Sequence, residues 1–157
     1  MTFLSYIFVG FFATLLFDLY QILLKFAYEI DKSKWGLVGR YFIHCYKGTY
    51  KQNDINTSES FDYENIIGYA AHYMIGIFYG FFYIFVNYLF FDNASLFIAI
   101  TFGLLTVLGN WCIMMPYAFN LGFFGLKNND FKKIWVQNLV IHFIFGVGLY
   151  IGLKIIL

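Results

Sequence analysis

Three ionisable side chains in the apolar part of this sequence could do chemistry: Asp18, His72 and His142. A carboxylate in lipid is costly unless it is paired, and histidine titrates near neutral pH. Together these groups could bind a proton or a cation, orient a general base, or ligate a metal ion. We therefore predict a buried polar site formed by the three residues, with Asn110 or Cys112 as a fourth wall.

The spacing around these residues predicts helices that are polar on one face. Small or polar residues recur every three or four positions, which places them on one side of a helix. Asp18, His72 and His142 each lie about two turns, on the order of 12 Å, inside the end of their stretch that adjoins a basic loop, so we expect them to share one layer. The glycines of these stripes are typical of close helix packing. The stripes are Gly10, Thr14, Asp18, Gln21 and Lys25; Glu64, Gly68, His72, Gly76 and Gly80; and Asn138, His142, Gly146 and Tyr150.

The composition indicates a membrane protein. Of the 157 residues, 61% are hydrophobic, 25% are aromatic and only 12% are charged, whereas soluble domains are about a quarter charged. The net charge of +1 and the lack of a dense basic run exclude nucleic acid as a partner. The lipid bilayer is therefore the predicted environment.

Four stretches are long enough to cross a bilayer, which takes roughly 20 apolar residues in a helix. Their hydrophobic runs are continuous rather than alternating, which favours helices over a barrel. Short connections favour antiparallel neighbours. We predict an all-α fold, a single transmembrane domain over 1–157 with four helices in an antiparallel bundle. The predicted spans are about 2–25, 65–91, 96–119 and 134–157.

The basic residues predict the orientation of these spans. They concentrate in the loops at about 26–64 and 120–133, whereas the connection from Asp92 to Ser95 has none. Cytoplasmic loops are enriched in lysine and arginine. We therefore expect both basic loops in the cytoplasm and both termini outside it.

The first of these loops has two parts with different predicted roles. Residues 34–47 mix apolar and basic residues and predict a short amphipathic helix at the interface, with Trp35 and Tyr41 at headgroup level. Residues 48–62 are polar and predict an exposed, mobile loop. Arg40 and His44 could face anionic headgroups or, with Glu64, line the mouth of a cavity.

Several stretches resemble a family of small four-span bacterial membrane proteins catalogued as domain of unknown function 2938. The resemblance covers nearly the whole chain and implies a location in the bacterial inner membrane, but it implies no activity. It rests on GFFATLLFDLYQILL at 10–24, WGLVGRYFIH at 35–44, IGYAAHYMIGIFYG at 67–80, HFIFGVGLYIGL at 142–153, and MMP at 114–116 followed by FNLGFFGLKN.

The sequence leaves four functions open. The first is a small transporter or channel-like protein for a proton, a cation or a polar solute, working as a homodimer because alternating access uses two related halves. The second is a membrane enzyme acting on a lipid or a quinone-like substrate, although no nucleophile motif is present. The third is a protein that binds haem or a metal ion through His72, His142 and Asp18. The fourth is an accessory subunit without chemistry.

Overall fold

A computed structural model of the chain describes residues 3–90 and 94–157. Within them, four helices are long and apolar enough to cross a membrane, which confirms the prediction of an all-α, multi-pass membrane protein. The elements are α1 (Phe3–Tyr28), α2 (Trp35–Tyr46), α3 (Glu64–Phe90), α4 (Leu96–Leu105), α5 (Val107–Gly109), a π-helix (Asn110–Ala118), a 3₁₀ turn (Phe123–Gly125) and α6 (Phe131–Ile156).

The long helices extend past some of the expected ends of the spans. Helix α1 continues to Tyr28 and α6 begins at Phe131, so Lys25, Lys132 and Lys133 lie on terminal helical turns. Long basic side chains can extend from such positions toward the polar surface of a bilayer. The predicted connection between the second and third spans falls partly outside the described residues, which omit 91–93.

The third span changes its helical pitch. Helices α4 and α5 lead into the π-helix, and together they form one span over Leu96–Ala118. Pro116 lies inside the π-helix. Proline lacks a backbone N–H and crowds the preceding turn of an α-helix. In a π-helix the hydrogen bonds join residues five positions apart. The span therefore continues through Pro116 to Ala118.

The chain divides into two compact units. The first comprises residues 1–33, 73–106 and 138–157, and therefore contains parts of all four long helices. The second comprises residues 34–72 and 107–137, with α2, the start of α3 and the π-helix.

Glycines bring the helices of the first unit into backbone contact. A side chain on Gly80 would clash with the backbone of Gly10, and one on Gly103 would lie 2.6 Å from the Cα of Gly146. Helix α1 runs antiparallel to α3 and to α6, because successive residues along α1 contact earlier and earlier residues of the other two helices. The contacts are Gly10 with Gly80, Thr14 with Gly76, Val9 with Gly152, and Ala13 with Gly148. Such close approach maximises van der Waals contact, which drives helix association in lipid.

In the second unit, α2 packs tightly on the start of α3, and the loop after α2 is folded. A side chain on Gly39 would overlap the backbone of Glu64. Tyr41, Ile55 and Ala118 form a buried cluster, and Ile55 is only 1% exposed. Most of residues 48–62 are exposed, as predicted, but Ile55 anchors this loop in a protein core that also buries Tyr41. The location of Tyr41 at headgroup level stays a prediction.

The contact between Gly103 and Gly146 predicts a sharp response to one added methyl group. We expect G103A to destabilise the protein by about 1–3 kcal/mol, because the new Cβ would press on backbone that cannot rotate away. G152A is the milder comparison, since its Cβ would lie 3.3 Å from the Cα of Val9, a tight contact that a small shift relieves. Both variants gain the same helix propensity. Thermal unfolding of both variants in detergent measures the difference. Equal melting temperatures would contradict this account of the packing.

Candidate functional site

A hydrogen bond joins the side chains of Thr106 and His142 in the first unit. The Oγ1 of Thr106 is 2.7 Å from the Nδ1 of His142 and 2.6 Å from the carbonyl oxygen of Gly103. Thr106 is buried and immediately follows α4, while His142 is half-buried on α6. The polar group in the middle of α6 is therefore held by a residue of the third span.

These two contacts determine where the protons lie. The carbonyl of Gly103 can only accept, so the hydroxyl of Thr106 donates its single proton to it. The Nδ1 of His142 must then donate to the Thr106 oxygen. We infer that neutral His142 carries its proton on Nδ1.

Helix α1 contributes Phe17 and Asp18 at this level. The ring of Phe17 is buried and meets the imidazole of His142 edge-on, with centroids 5.9 Å apart and planes at 88°. Asp18 follows it and is half-buried. It lies one turn after Thr14, which is buried and donates to the carbonyl of Gly10 at 2.8 Å. Asp18 therefore continues the polar line of α1, as the spacing predicts.

Two carboxamides lie one turn nearer the basic ends of the same two helices. The Oε1 of Gln21 accepts a hydrogen bond from the backbone N–H of Ser33. Both Gln21 Nε2 and Asn138 Nδ2 are buried and have no hydrogen-bond partner among the described residues. Because α1 and α6 are antiparallel and Phe17 meets His142, one further turn on each helix reaches Gln21 and Asn138. We call Phe17, Gln21, Thr106, Asn138 and His142 the His142 cluster.

The sequence contains a signal for the amides, although they were not predicted as site residues. Gln21 lies three positions after Asp18 and Asn138 four positions before His142, each in a recognised stripe. Thr106 is different, because its role follows from the end of α4 and from its contact with α6. No spacing within one helix reveals such a contact.

His72 belongs to the second unit, where it stacks on Trp35. The two ring centroids are 3.7 Å apart and the planes are inclined by 19°. Trp35 also lies against Tyr69, with centroids 6.5 Å apart. The start of α2 therefore covers one face of the His72 imidazole.

The predicted layer joins residues of both units and stays a prediction. Asp18 and His142 belong to the first unit, whereas His72, Asn110 and Cys112 belong to the second. All five are half-buried. Within residues 3–90 and 94–157, no group of three or more His, Cys, Asp or Glu side chains is arranged to hold a metal ion.

Arg40 and Glu64 form an ion pair inside the second unit. The guanidinium donates from Nε to Oε2 of Glu64 at 2.8 Å and from Nη2 to Oε1 at 2.9 Å. Its Nη1 donates to the carbonyl of Ile55 at 2.9 Å. Such two-pronged pairing is typical of arginine, and the hydrogen bond to Glu64 raises the pKa of Arg40 above its ordinary value.

This pairing changes the interpretation of the predicted cavity mouth. The side chains of Arg40 and Glu64 are only 11% and 14% exposed. The hydrogen-bond donors of the guanidinium are therefore paired within the protein rather than with a lipid headgroup. His44 lies nearby on α2, with Nε2 3.1 Å from the carbonyl oxygen of Glu59. Arg40 and His44 therefore both hold the loop after α2.

The four apolar helices define the chain as a multi-pass membrane protein with a polar cluster inside its first unit. A family described as "Protein of unknown function (DUF2938)" matches residues 7–156, and the chain belongs to that family. This confirms the resemblance found in the sequence. No curated protein and no solved structure gives a significant match.

The bond between Thr106 and His142 predicts different effects of two substitutions. T106V removes the acceptor of the Nδ1–H and should cost about 1–3 kcal/mol of stability, because the imidazole N–H loses its partner in a buried place. T106S keeps the hydroxyl and should remain close to the wild type. Thermal unfolding, with the ¹⁵N chemical shifts of His142 as a readout of its tautomer, tests both. An unchanged tautomer and melting temperature in T106V would refute the assigned hydrogen bond.

The ion pair predicts that Arg40 holds the loop at 48–62. R40Q should cost about 3 kcal/mol, because it leaves the Glu64 carboxylate nearly buried without its partner. K47Q is the matched control. Its pair with Glu59 is 47% and 65% exposed, and exposed pairs contribute only about 0–1 kcal/mol. Limited proteolysis should cut the loop faster in R40Q than in K47Q, and equal rates would contradict the proposed role.

Proposed function

We propose that this protein is a small transporter or channel-like protein of the bacterial inner membrane that moves a proton or a small polar solute. The observation that supports this function best is the hydrogen bond between Thr106 and His142 inside the membrane-spanning part of the first unit. Ionisable groups inside membrane spans are expensive, and they commonly belong to pathways for protons or solutes.

The chemistry of the His142 cluster favours some cargoes over others. Imidazole is the side chain that most often carries a proton in transit, and His142 supplies it in this cluster. Gln21 and Asn138 present buried amide N–H groups, which donate to oxygen or nitrogen acceptors and do not coordinate metal cations. A proton, or a polar solute that carries hydrogen-bond acceptors, therefore suits the cluster better than a metal cation does.

The charge pattern supports an orientation for this function. With both basic loops in the cytoplasm and both termini outside, the side of the cluster that carries Gln21 and Asn138 faces the cytoplasm. Asp18, on the same helix as Gln21, would supply an acceptor for a cargo N–H or O–H group. A homodimer would provide the two related halves that alternating access normally requires.

Reconstitution into liposomes tests this function directly. Vesicles that contain a pH-sensitive dye should lose an imposed pH gradient faster with the wild-type protein than without it. H142Q should slow this loss at least about tenfold, because a carboxamide cannot take up and release the proton. H44Q is the matched control, since His44 lies on α2 outside the long helices.

A parallel measurement covers a polar cargo. Swelling of the same vesicles in glycerol or urea, followed by light scattering, reports the entry of neutral solutes. Size-exclusion profiles must show that H142Q is folded and monodisperse. The proposal fails if wild-type vesicles are no more permeable than empty ones to protons, glycerol and urea, or if folded H142Q is as active as the wild type.

A further inference from the structure

Tyr83 and Asn87 form a second buried polar position in the first unit, and we call them the Tyr83 pair. Tyr83 is 0% exposed and Asn87 is 6% exposed, although both are polar. They lie four residues apart on α3, so their side chains share one face of the helix. The pair lies outside the stripe of α3 that contains His72 and lies toward the opposite end of the helix.

Aromatic side chains pack against the ring of Tyr83, and the phenol of Tyr150 on α6 lies within electrostatic range of it. The Tyr83 ring is tilted by 53° against Phe102 of α4, with centroids 5.6 Å apart. Phe102 also meets Tyr79 one turn earlier on α3, at 6.4 Å. Ile84, next to Tyr83, is only 2% exposed. Packing therefore accounts for the burial of the Tyr83 ring, but it does not account for the burial of the hydroxyl group.

One polar atom of each residue in the pair lacks a hydrogen-bond partner in the described part of the chain. The hydroxyl of Tyr83 and the Nδ2 of Asn87 are both buried and make no hydrogen bond to any described residue. Native proteins satisfy nearly all such groups, because an unpaired buried donor loses its hydration without compensation. Two of them on one helical face therefore indicate a shared ligand that supplies the missing hydrogen bonds.

The charges nearby decide what kind of ligand fits. Helix α3 carries no Asp, Glu, Lys or Arg after Glu64, and α4 carries none. Lys154 near the end of α6 is exposed. Within the described residues of α3 and α4, a charged ligand would therefore find no counter-charge after Glu64, and burying an unpaired charge is far more costly than burying a neutral polar group. A hydroxyl group can both donate and accept, as the tyrosine and the amide require.

We propose that the Tyr83 pair binds a water molecule or another small neutral molecule through its hydroxyl group. The ligand oxygen accepts a hydrogen bond from Asn87 Nδ2 and exchanges one with the Tyr83 hydroxyl. The inference rests on burial and on the missing partners of these two residues. It does not depend on the function proposed for the His142 cluster.

A double-mutant cycle tests the shared ligand. Y83F and N87L should each lower the melting temperature of the full-length protein in detergent, by about 2–4 °C, because each removes one of the groups that hold the ligand. The double variant Y83F/N87L should fall by less than the sum, since the ligand is already lost in either single variant. Y88F is the matched control and should not change the melting temperature, because Tyr88 is 84% exposed.

The sign of the change makes the proposal falsifiable. If nothing binds the pair, Y83F removes an unsatisfied hydroxyl and should leave the melting temperature unchanged or raise it; either result overturns the proposal, as does strict additivity in the cycle. Titration with methanol and glycerol then distinguishes the two sources of the hydroxyl. A saturable stabilisation that is lost in Y83F identifies a solute, and coupling without such a response identifies water.

Discussion

Contact between glycine backbones is the interaction on which the first unit depends. Lipid tails are as apolar as leucine, so the association of membrane helices depends on how closely their backbones approach. Gly103 shows the consequence for the site. Its missing side chain lets α6 approach at Gly146, and its carbonyl accepts the hydroxyl proton of Thr106 at 2.6 Å. The same residue therefore brings the helices together and orients the proton at the hydrogen bond to His142.

The second unit is organised by charge instead. Arg40 supplies donors both to the Glu64 carboxylate and to the backbone of the loop after α2. That loop is polar in sequence, yet Ile55 and Gln52 are buried within it. A nearly buried ion pair stabilises a protein only when the remaining donors and acceptors of the two groups also make hydrogen bonds. The loop carbonyls occupy them, which explains why a polar segment of this length is folded.

The His142 cluster and the Tyr83 pair follow one physical rule at different places. A polar group inside a membrane protein must find a partner within the protein or in a ligand, because lipid offers none. His142 finds Thr106, and Gln21 finds the backbone of Ser33 with one of its two polar atoms. The buried amide nitrogens of Gln21 and Asn138 and the Tyr83 hydroxyl find no protein partner among the described residues. These unsatisfied positions are where a cargo or a small neutral ligand would gain most.

The sequence by itself determined the class of fold, the four spans, the short helix α2 and the family, because hydrophobic length and the 3.6-residue period are properties of single segments. It also determined which face of each helix carries the small and polar residues. Only the tertiary structure decided the partners: Thr106 for His142, Glu64 for Arg40, and a protein core for Tyr41 and Ile55. Periodicity orients a side chain on its own helix, but the rotation and register between helices depend on packing, which no single segment encodes.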